Sequence, residues 1–400
     1  MSFLAKIFGK KKSHTEENKQ ELFAVSDVRI RNPEERTRED LIQDLAIVTH
    51  RDPKTGKLMA RAPKNGRKYL KETLDCIERV QGGKEMLDNM AKDGYRILFT
   101  DEGKKESERE EYCGKSNNDK WYGNPKVVTL SLDDHVTTAG LALSLINIMS
   151  NIEQRRRLKA AGIEEENLNM ADQIRLDRAQ TVARYALEAE LVVQMSKIEP
   201  NDEGGLSLTL PDGLKQVFAI HPPIKAYAQE MLNTAGDRGK SVEKVADSFC
   251  ETTHNVKYYR NAYEEGYIKC ILTGLNNASA DQPVLQKSLT PEEMIKLSFE
   301  PLFQGSVSPD ILKSKQMNSL SKNALGKLQA ISEECEKAGI KDESFKQLYP
   351  HNLKLSYNEV KKLDQLFERR KEKEAKQPQA AESKKPINAA VMAKMKQGGR

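Results

Sequence analysis

The sequence predicts an α+β fold, mainly helical, with a small β-sheet in its core and a helical C-terminal extension. Three observations carry this. Apolar residues recur at helical spacing over long stretches, as at Leu70, Leu74 and Ile77, and the run 139–149 is apolar almost all round. Only two segments read clearly as strands, 95–100 and 126–132, both short and rich in β-branched or aromatic residues. From about Asp281 onward the chain reads as helical hairpins, with capping boxes at Thr290-Pro291-Glu292-Glu293 and Ser356-Tyr357-Asn358-Glu359.

Taken in order, residues 1–20 read as a polar, basic leader. A first helix is expected over 35–48, with Leu41, Ile42, Leu45 and Val48 on one face. A Pro/Gly/Lys loop over 51–66 separates it from an amphipathic helix through Leu70, Leu74, Ile77 and Val80, stopped by Gly82-Gly83. A short helix over 84–92 ends at Gly94, and the strand 95–100 follows. Between the two strands, Tyr112-Cys113-Gly114 and Trp121-Tyr122-Gly123-Asn124-Pro125 suggest a hairpin or sheet edge. Asp133-Asp134 can cap the helix 136–152, which turns polar at Arg155-Arg156-Arg157. Its successor, 171–197, carries Val182, Tyr185, Ala186, Ala189 and Val193 as one stripe. A strand pair, 206–210 with 216–219, is expected around Pro211-Asp212-Gly213, then helices over 223–233 and 242–267. Leu325, Leu328, Ile331 and Cys335 mark a further helix. No internal repeat is present. The domains expected are a leader (1–20), a main domain (21–275), a helical extension (285–370) and a basic tail (371–400).

The 400 residues carry a net charge of +5, distributed unevenly. Lys6, Lys10, Lys11 and Lys12 stand without an acid in the first twelve residues. Residues 368–400 hold ten Lys/Arg against four Glu, which leaves the body between the two ends five acids in excess. A mildly acidic body and 6% aromatic residues exclude a dedicated nucleic-acid fold. The basic ends could make a weak contact with an anionic surface. Five widely spaced cysteines (Cys76, Cys113, Cys250, Cys270, Cys335) form no C-x-x-C pair, so neither a zinc ribbon nor a dithiol redox site is supported. Reduced thiols and the lack of a signal-peptide pattern predict a cytoplasmic setting, with export as an effector left open. No run of apolar residues is long enough for a membrane-spanning helix.

Gly236-Asp237-Arg238-Gly239-Lys240-Ser241 ends like a phosphate-binding loop, but Thr234 stands where its first glycine is required and a helical pattern precedes it. The six histidines (His14, His50, His135, His221, His254, His351) are scattered, and no two sit four apart on a helix face.

Beyond single motifs, the order strand, Gly/Tyr/Asn-rich edge, strand, buried helix and second long helix is that of a minimal zincin. There, H-E-x-x-H on the buried helix holds Zn²⁺ through two histidines while the glutamate accepts a proton from metal-bound water. Over about residues 60–270 the chain resembles an uncharacterised bacterial family of zincin-like metallopeptidases. The resemblance rests on Trp121-Tyr122-Gly123-Asn124-Pro125-Lys126-Val127-Val128-Thr129-Leu130, on Ile152-Glu153-Gln154-Arg155-Arg156, and on Arg178-Ala179-Gln180 through Leu187-Glu188-Ala189-Glu190. Val245-Ala246-Asp247-Ser248-Phe249 and Tyr258-Tyr259 look like a later family helix. In that family the two helices read H-E-x-R-H and E-A-D-A.

The resemblance implies that Glu153 occupies the general-base position, Ile152 and Arg156 the two histidine positions, and Glu188 the third-ligand position. Isoleucine cannot ligate zinc. A guanidinium ~4 Å from a dication would cost about 8 kcal/mol at an effective dielectric near 20. The expectation is therefore a degenerate, metal-free and inactive metallopeptidase-like domain that serves as a binding or scaffold module for an unidentified protein or peptide. The alternative is an active zinc-dependent peptidase with an atypical site around Glu153 and Glu188. Read without the resemblance, Glu153 is a helix-end carboxylate pairing with Arg156 or Arg157, and Glu188 and Glu190 belong to a stripe beside the apolar one.

Overall fold

The computed structural model describes residues 22–27, 32–63, 66–100, 116–117, 126–131, 137–200, 205–277, 285, 287–300, 302–303 and 305–350. The described residues fall into two compact units. One draws on Met1–Arg157, Val182–Val245 and Phe299–Val307, the other on Leu158–Thr181, Ala246–Ser298 and Ser308–Arg400. The basic leader, the tail and the second capping box lie outside the described residues.

The first unit is built on a six-stranded sheet of order β1-β3-β2-β4-β6-β5. Its strands are β1 (Phe23–Ala24), β2 (Ala46–Arg51), β3 (Leu58–Arg61), β4 (Tyr95–Thr100), β5 (Ser116–Asn117) and β6 (Lys126–Ser131). The central trio β2, β4 and β6 is parallel, with Ala46 opposite Leu98 and Tyr95 opposite Lys126, while β3 and β5 flank it antiparallel. Both expected strands are therefore present, and β5 supplies an edge between them in sequence. One face of the sheet buries Ala46, Val48, Ala60, Leu98 and Val127 with Val25. The alternate residues Ile47, Ile97, Phe99, Val128 and Leu130 are buried as well, as expected of parallel strands covered on both sides.

That double burial explains the first departure from expectation. The helix expected over 35–48 is only α1 (Arg38–Gln43), and 46–51 is β2. Leu45-Ala46-Ile47-Val48 is a short continuous apolar run, which suits a doubly buried strand as well as a helix face. Buried Arg36 holds α1 beside β4, donating to the Tyr95 carbonyl at 3.1 Å and pairing with Asp44 at 3.0 Å. The loop expected over 51–66 contains β3, the hairpin partner of β2.

Helices α2 (Gly66–Ile77) and α3 (Gly83–Lys92) then lead into β4. Tyr69 of α2 meets Phe99 of β4 with ring centroids 6.5 Å apart. Gly83 is required where α3 starts: a Cβ there would lie 2.1 Å from the Ile77 carbonyl oxygen. After β6 come α4 (Thr138–Ala160) and α5 (Met170–Met195). Leu141 to Ile146, Ile148 and Met149 are all buried, as an all-round apolar helix requires. Beyond α5, β7 (Lys197–Pro200) pairs with β8 (Leu206–Thr209), and the expected second strand is instead α6 (Lys215–Ile220), with Leu214 at its N-cap and Val217 within it both buried. All four residues of β7 are exposed, so no apolar alternation announced it. Helix α7 (Pro222–Asn233) follows, and α8 (Arg238–Asn255) opens in this unit.

The second unit contains the first half of α5, the end of α8, α9 (Lys257–Asn277), α10 (Pro291–Phe299), α11 (Lys315–Asn318), β9 (Ser319–Leu320), α12 (Lys322–Lys337) and β10 (Tyr349–Pro350). The helix expected over 242–267 breaks at Val256, after Thr252-Thr253-His254-Asn255, a run of weak helix formers. Its core joins Met170, Ala171 and Ile174 to Tyr267, Ile271, Leu320, Leu328, Cys335 and Phe345. The box at Thr290 forms as expected: Thr290 N donates to Glu293 Oε2 at 2.8 Å and Glu293 N to Thr290 Oγ1 at 3.1 Å. Among the described residues no helix is long and apolar enough to cross a membrane.

Candidate functional site

The long helices α4 and α5 are joined by a polar seam inside the first unit. Asn147 and Asn151 of α4 lie four residues apart and so share one face. Asn147 Nδ2 donates to Glu188 Oε1 of α5. One turn along, Arg184 Nη1 donates to Asn151 Oδ1 at 2.9 Å. As numbering rises by four on α4 it falls by four on α5, so the helices run antiparallel here. Glu188 is wholly buried, whereas Asn147, Asn151, Arg184 and the neighbouring Tyr185 are half-buried. The Tyr185 ring lies 6.0 Å from that of His221, at the start of α7. A buried carboxylate thus stands behind a rim of two amides and a guanidinium.

Glu153 is not part of this seam. Six residues beyond Asn147, at about 100° per residue, it points some 120° away around α4, and Arg156 is close to diametrically opposite Asn147. Glu153 accepts from Arg156 Nε and Nη2 at 3.0 Å each, from Arg157 Nε at 3.1 Å and from Asn89 Nδ2 of α3 at 3.2 Å. Only 3% of it is exposed, so the pairing expected of Glu153 is present but buried, and it lies inside α4, which runs on to Ala160, rather than at a solvated helix end. Burial pushes its carboxyl up, and the hydrogen bonds and charges of Arg156 and Arg157 more than offset this, leaving it below its ordinary value. Ile152 is buried. Glu153 and Arg156 are therefore brought together, whereas Glu188 accepts from Asn147. The sequence reading missed Asn147, Asn151 and Arg184. Their signal was two amides at i, i+4 interrupting an otherwise apolar helix.

Two residues beyond Glu188, Glu190 leaves α5 on another side. It accepts from the Tyr227 hydroxyl at 2.7 Å and from Arg238 Nε at 2.9 Å. Arg238 also donates to the Leu302 carbonyl at 2.7 Å and lies 4.8 Å over the Phe303 ring. The Gly236–Ser241 run is therefore a helix start: Asp237 Oδ1 accepts from Lys240 N at 3.0 Å, and a Cβ on Gly239 would meet the Ser306 carbonyl at 2.3 Å. Its glycine serves close packing.

The seam does not suit zinc. Zn²⁺ takes imidazole, thiolate or carboxylate donors, and of Asn147, Asn151 and Glu188 only the last qualifies. Ile148, the position after Asn147, is buried and cannot accept a proton from water. Among the described residues no group of three or more His, Cys, Asp or Glu side chains could hold a metal ion. No protein-family model, no curated protein and no solved structure matches this chain.

Proposed function

We propose that the chain is a metallopeptidase-like domain without its metal, which uses the α4–α5 seam as part of a groove for an extended peptide or protein segment. The observation that carries this reading is the buried Glu188 facing an asparagine pair at i, i+4. On this reading Asn147 and Asn151 stand at the two histidine positions, Ile148 at the general-base position and Glu188 at the third-ligand position. This replaces the register through Ile152, Glu153 and Arg156. The parallel trio β2-β4-β6, with β5 antiparallel at its edge and α4 and α5 next in the chain, supports the same reading.

The substitutions remove each part of the hydrolytic chemistry. Two imidazoles become neutral amides, and the base becomes a hydrocarbon. Arg184, bonded to Asn151, adds a fixed positive charge that a dication would have to displace. What remains is suited to recognition: half-buried amides offer both donors and acceptors to a peptide backbone, and a short sheet edge can pair with an added strand. The alternative, an active zinc peptidase around Glu153 and Glu188, is the weaker proposal, because Glu153 is taken by Arg156, Arg157 and Asn89 while Glu188 is held by Asn147.

Elemental mass spectrometry on tag-free protein, dialysed against a weak chelator, tests this. The native chain is expected to carry no stoichiometric zinc, and Asn147→His/Asn151→His about one zinc per chain through a His₂Glu set. Stoichiometric zinc in the native chain, or chelator-sensitive turnover of a quenched-fluorescent peptide library, overturns the metal-free reading. A double variant that keeps its circular dichroism melt yet takes up no zinc overturns the assigned register.

A further inference from the structure

A second site lies in the other unit. A cavity of about 540 Å³ has Arg175, Lys313, Lys346 and Asn318 among its polar lining residues and Leu289 and Met294 among its apolar ones, a size in the range of small-molecule pockets. Three of its lining residues are basic and one, Asp172, is acidic. That carboxylate is already engaged, accepting from Asn169 Nδ2 at 2.7 Å, Leu289 N at 3.0 Å and Arg175 Nη1 at 3.4 Å.

Arg175 is held in place from behind. Its Nε donates to Asn318 Oδ1 at 2.6 Å and its Nη1 to Gln347 Oε1 at 3.2 Å. Asn318 is fixed in turn, its Nδ2 donating to the Leu312 and Ser314 carbonyls at 2.8 and 2.9 Å. The carbonyls on either side of it, Met317 and Ser319, both accept from the wholly buried guanidinium of Arg178, one turn along α5 from Arg175. Two layers of hydrogen bonds therefore orient one guanidinium at a cavity wall, the kind of support that a binding group needs to keep its geometry. Lys313 and Lys346 each hold one carboxylate three residues back, Asp310 at 3.0 Å and Glu343 at 2.8 Å. All four of those side chains are well exposed, where such pairs are weak, and an ammonium has three donors.

We propose that this cavity binds a phosphoryl group, with the guanidinium of Arg175 and the ammonium groups of Lys313 and Lys346 as its recognition elements. Arg175, Lys313 and Lys346 offer donors and positive charge to a group that carries about −1.5 to −2 at neutral pH, as a phosphate monoester does, and that would compete with the exposed Asp310 and Glu343 carboxylates for the two ammonium groups. The apolar wall of Leu289 and Met294 suits an organic body attached to that group. Nothing in this site depends on the seam between α4 and α5.

Isothermal titration of the full chain with phenyl phosphate, inorganic phosphate and benzoate tests the proposal. Phenyl phosphate is expected to bind, and to lose about tenfold or more in affinity in Arg175→Gln, the scale of a hydrogen bond to a charged group. Lys346→Gln, at an exposed side chain paired with the equally exposed Glu343, is expected to weaken it too while leaving the melting curve unchanged. Tighter binding of phenyl phosphate than of inorganic phosphate identifies an organic phosphate as the natural source; equal affinity identifies free phosphate. Benzoate binding as tightly as phenyl phosphate overturns the phosphoryl assignment. So does the absence of binding by either phosphate at millimolar concentration, or binding unchanged in both variants.

Discussion

Arg178 lies 5.4 Å over the ring of Tyr267 and donates to its hydroxyl at 3.3 Å, with both side chains buried. The rest of the guanidinium meets the Ser319 carbonyl at 2.6 Å, the Met317 carbonyl beside it and His254 Nε2 at 3.3 Å. A buried cation held by carbonyl dipoles and an aromatic face ties α5 to α9 and to the turn between α11 and β9.

Removing that cation strands two carbonyls and a phenol. Arg178→Leu is expected to destabilise the second unit by about 3 kcal/mol, from lost charge-assisted bonds and unsatisfied acceptors. Arg178→Lys should recover less than half, because an ammonium cannot reproduce the planar fork. Urea unfolding followed by far-UV circular dichroism checks both.

Glu153 carries a pH signature. Its folded value is lowered from 4.5, so the stability it contributes is fully present above that value and is lost as pH falls through the lowered one. Glu153→Gln is expected to cost about 2 kcal/mol at pH 7, since Arg156 and Arg157 lose their shared carboxylate, one of them largely buried. The difference between native and variant melting temperatures should shrink as pH falls below the ordinary carboxylate value and through the lowered one. A difference that persists unchanged into acid strong enough to protonate the carboxylates would show that the cluster adds nothing through its charge.

The thiols separate by burial. Cys270 is exposed, while Cys76, Cys250 and Cys335 are buried. Burial pushes Cys250 up to about 12 and Cys335 up to about 11, far from any thiolate fraction at neutral pH. Iodoacetamide at pH 8, read by peptide mass mapping, is expected to modify Cys270 well before those three. Labelling of Cys250 in the native chain at a comparable rate would contradict its packing against Met317.

How much of the site was legible follows from side-chain direction. That α4 would be buried and that a second long helix would follow were readable from apolar periodicity. Which face of α4 meets α5 was not: the resemblance pointed to Ile152, Glu153 and Arg156, whereas the residues that reach Glu188 and Arg184 are Asn147 and Asn151. Asparagine is an ordinary residue, and only the antiparallel docking of α4 and α5 gives Asn147 and Asn151 their place. The phosphoryl cavity left no sequence signal at all, since its basic residues come from positions 175, 313 and 346.

The sequence by itself determined the elements whose cause is local. The strand 95–100, the helix stop at Gly94 and the capping box at Thr290 follow from a short run of apolar and aromatic residues, from glycine and from neighbouring hydrogen-bond donors. Tertiary structure decided the rest. The run 46–51 became a strand because β4 offered it a parallel partner, and 197–200 became one because 206–209 folded back on it. The buried charges of Glu153, Glu188, Glu190 and Arg178 depend on partners between three and more than a hundred residues away. A charge leaves water only where such partners are assembled around it, and that assembly is a property of the folded chain.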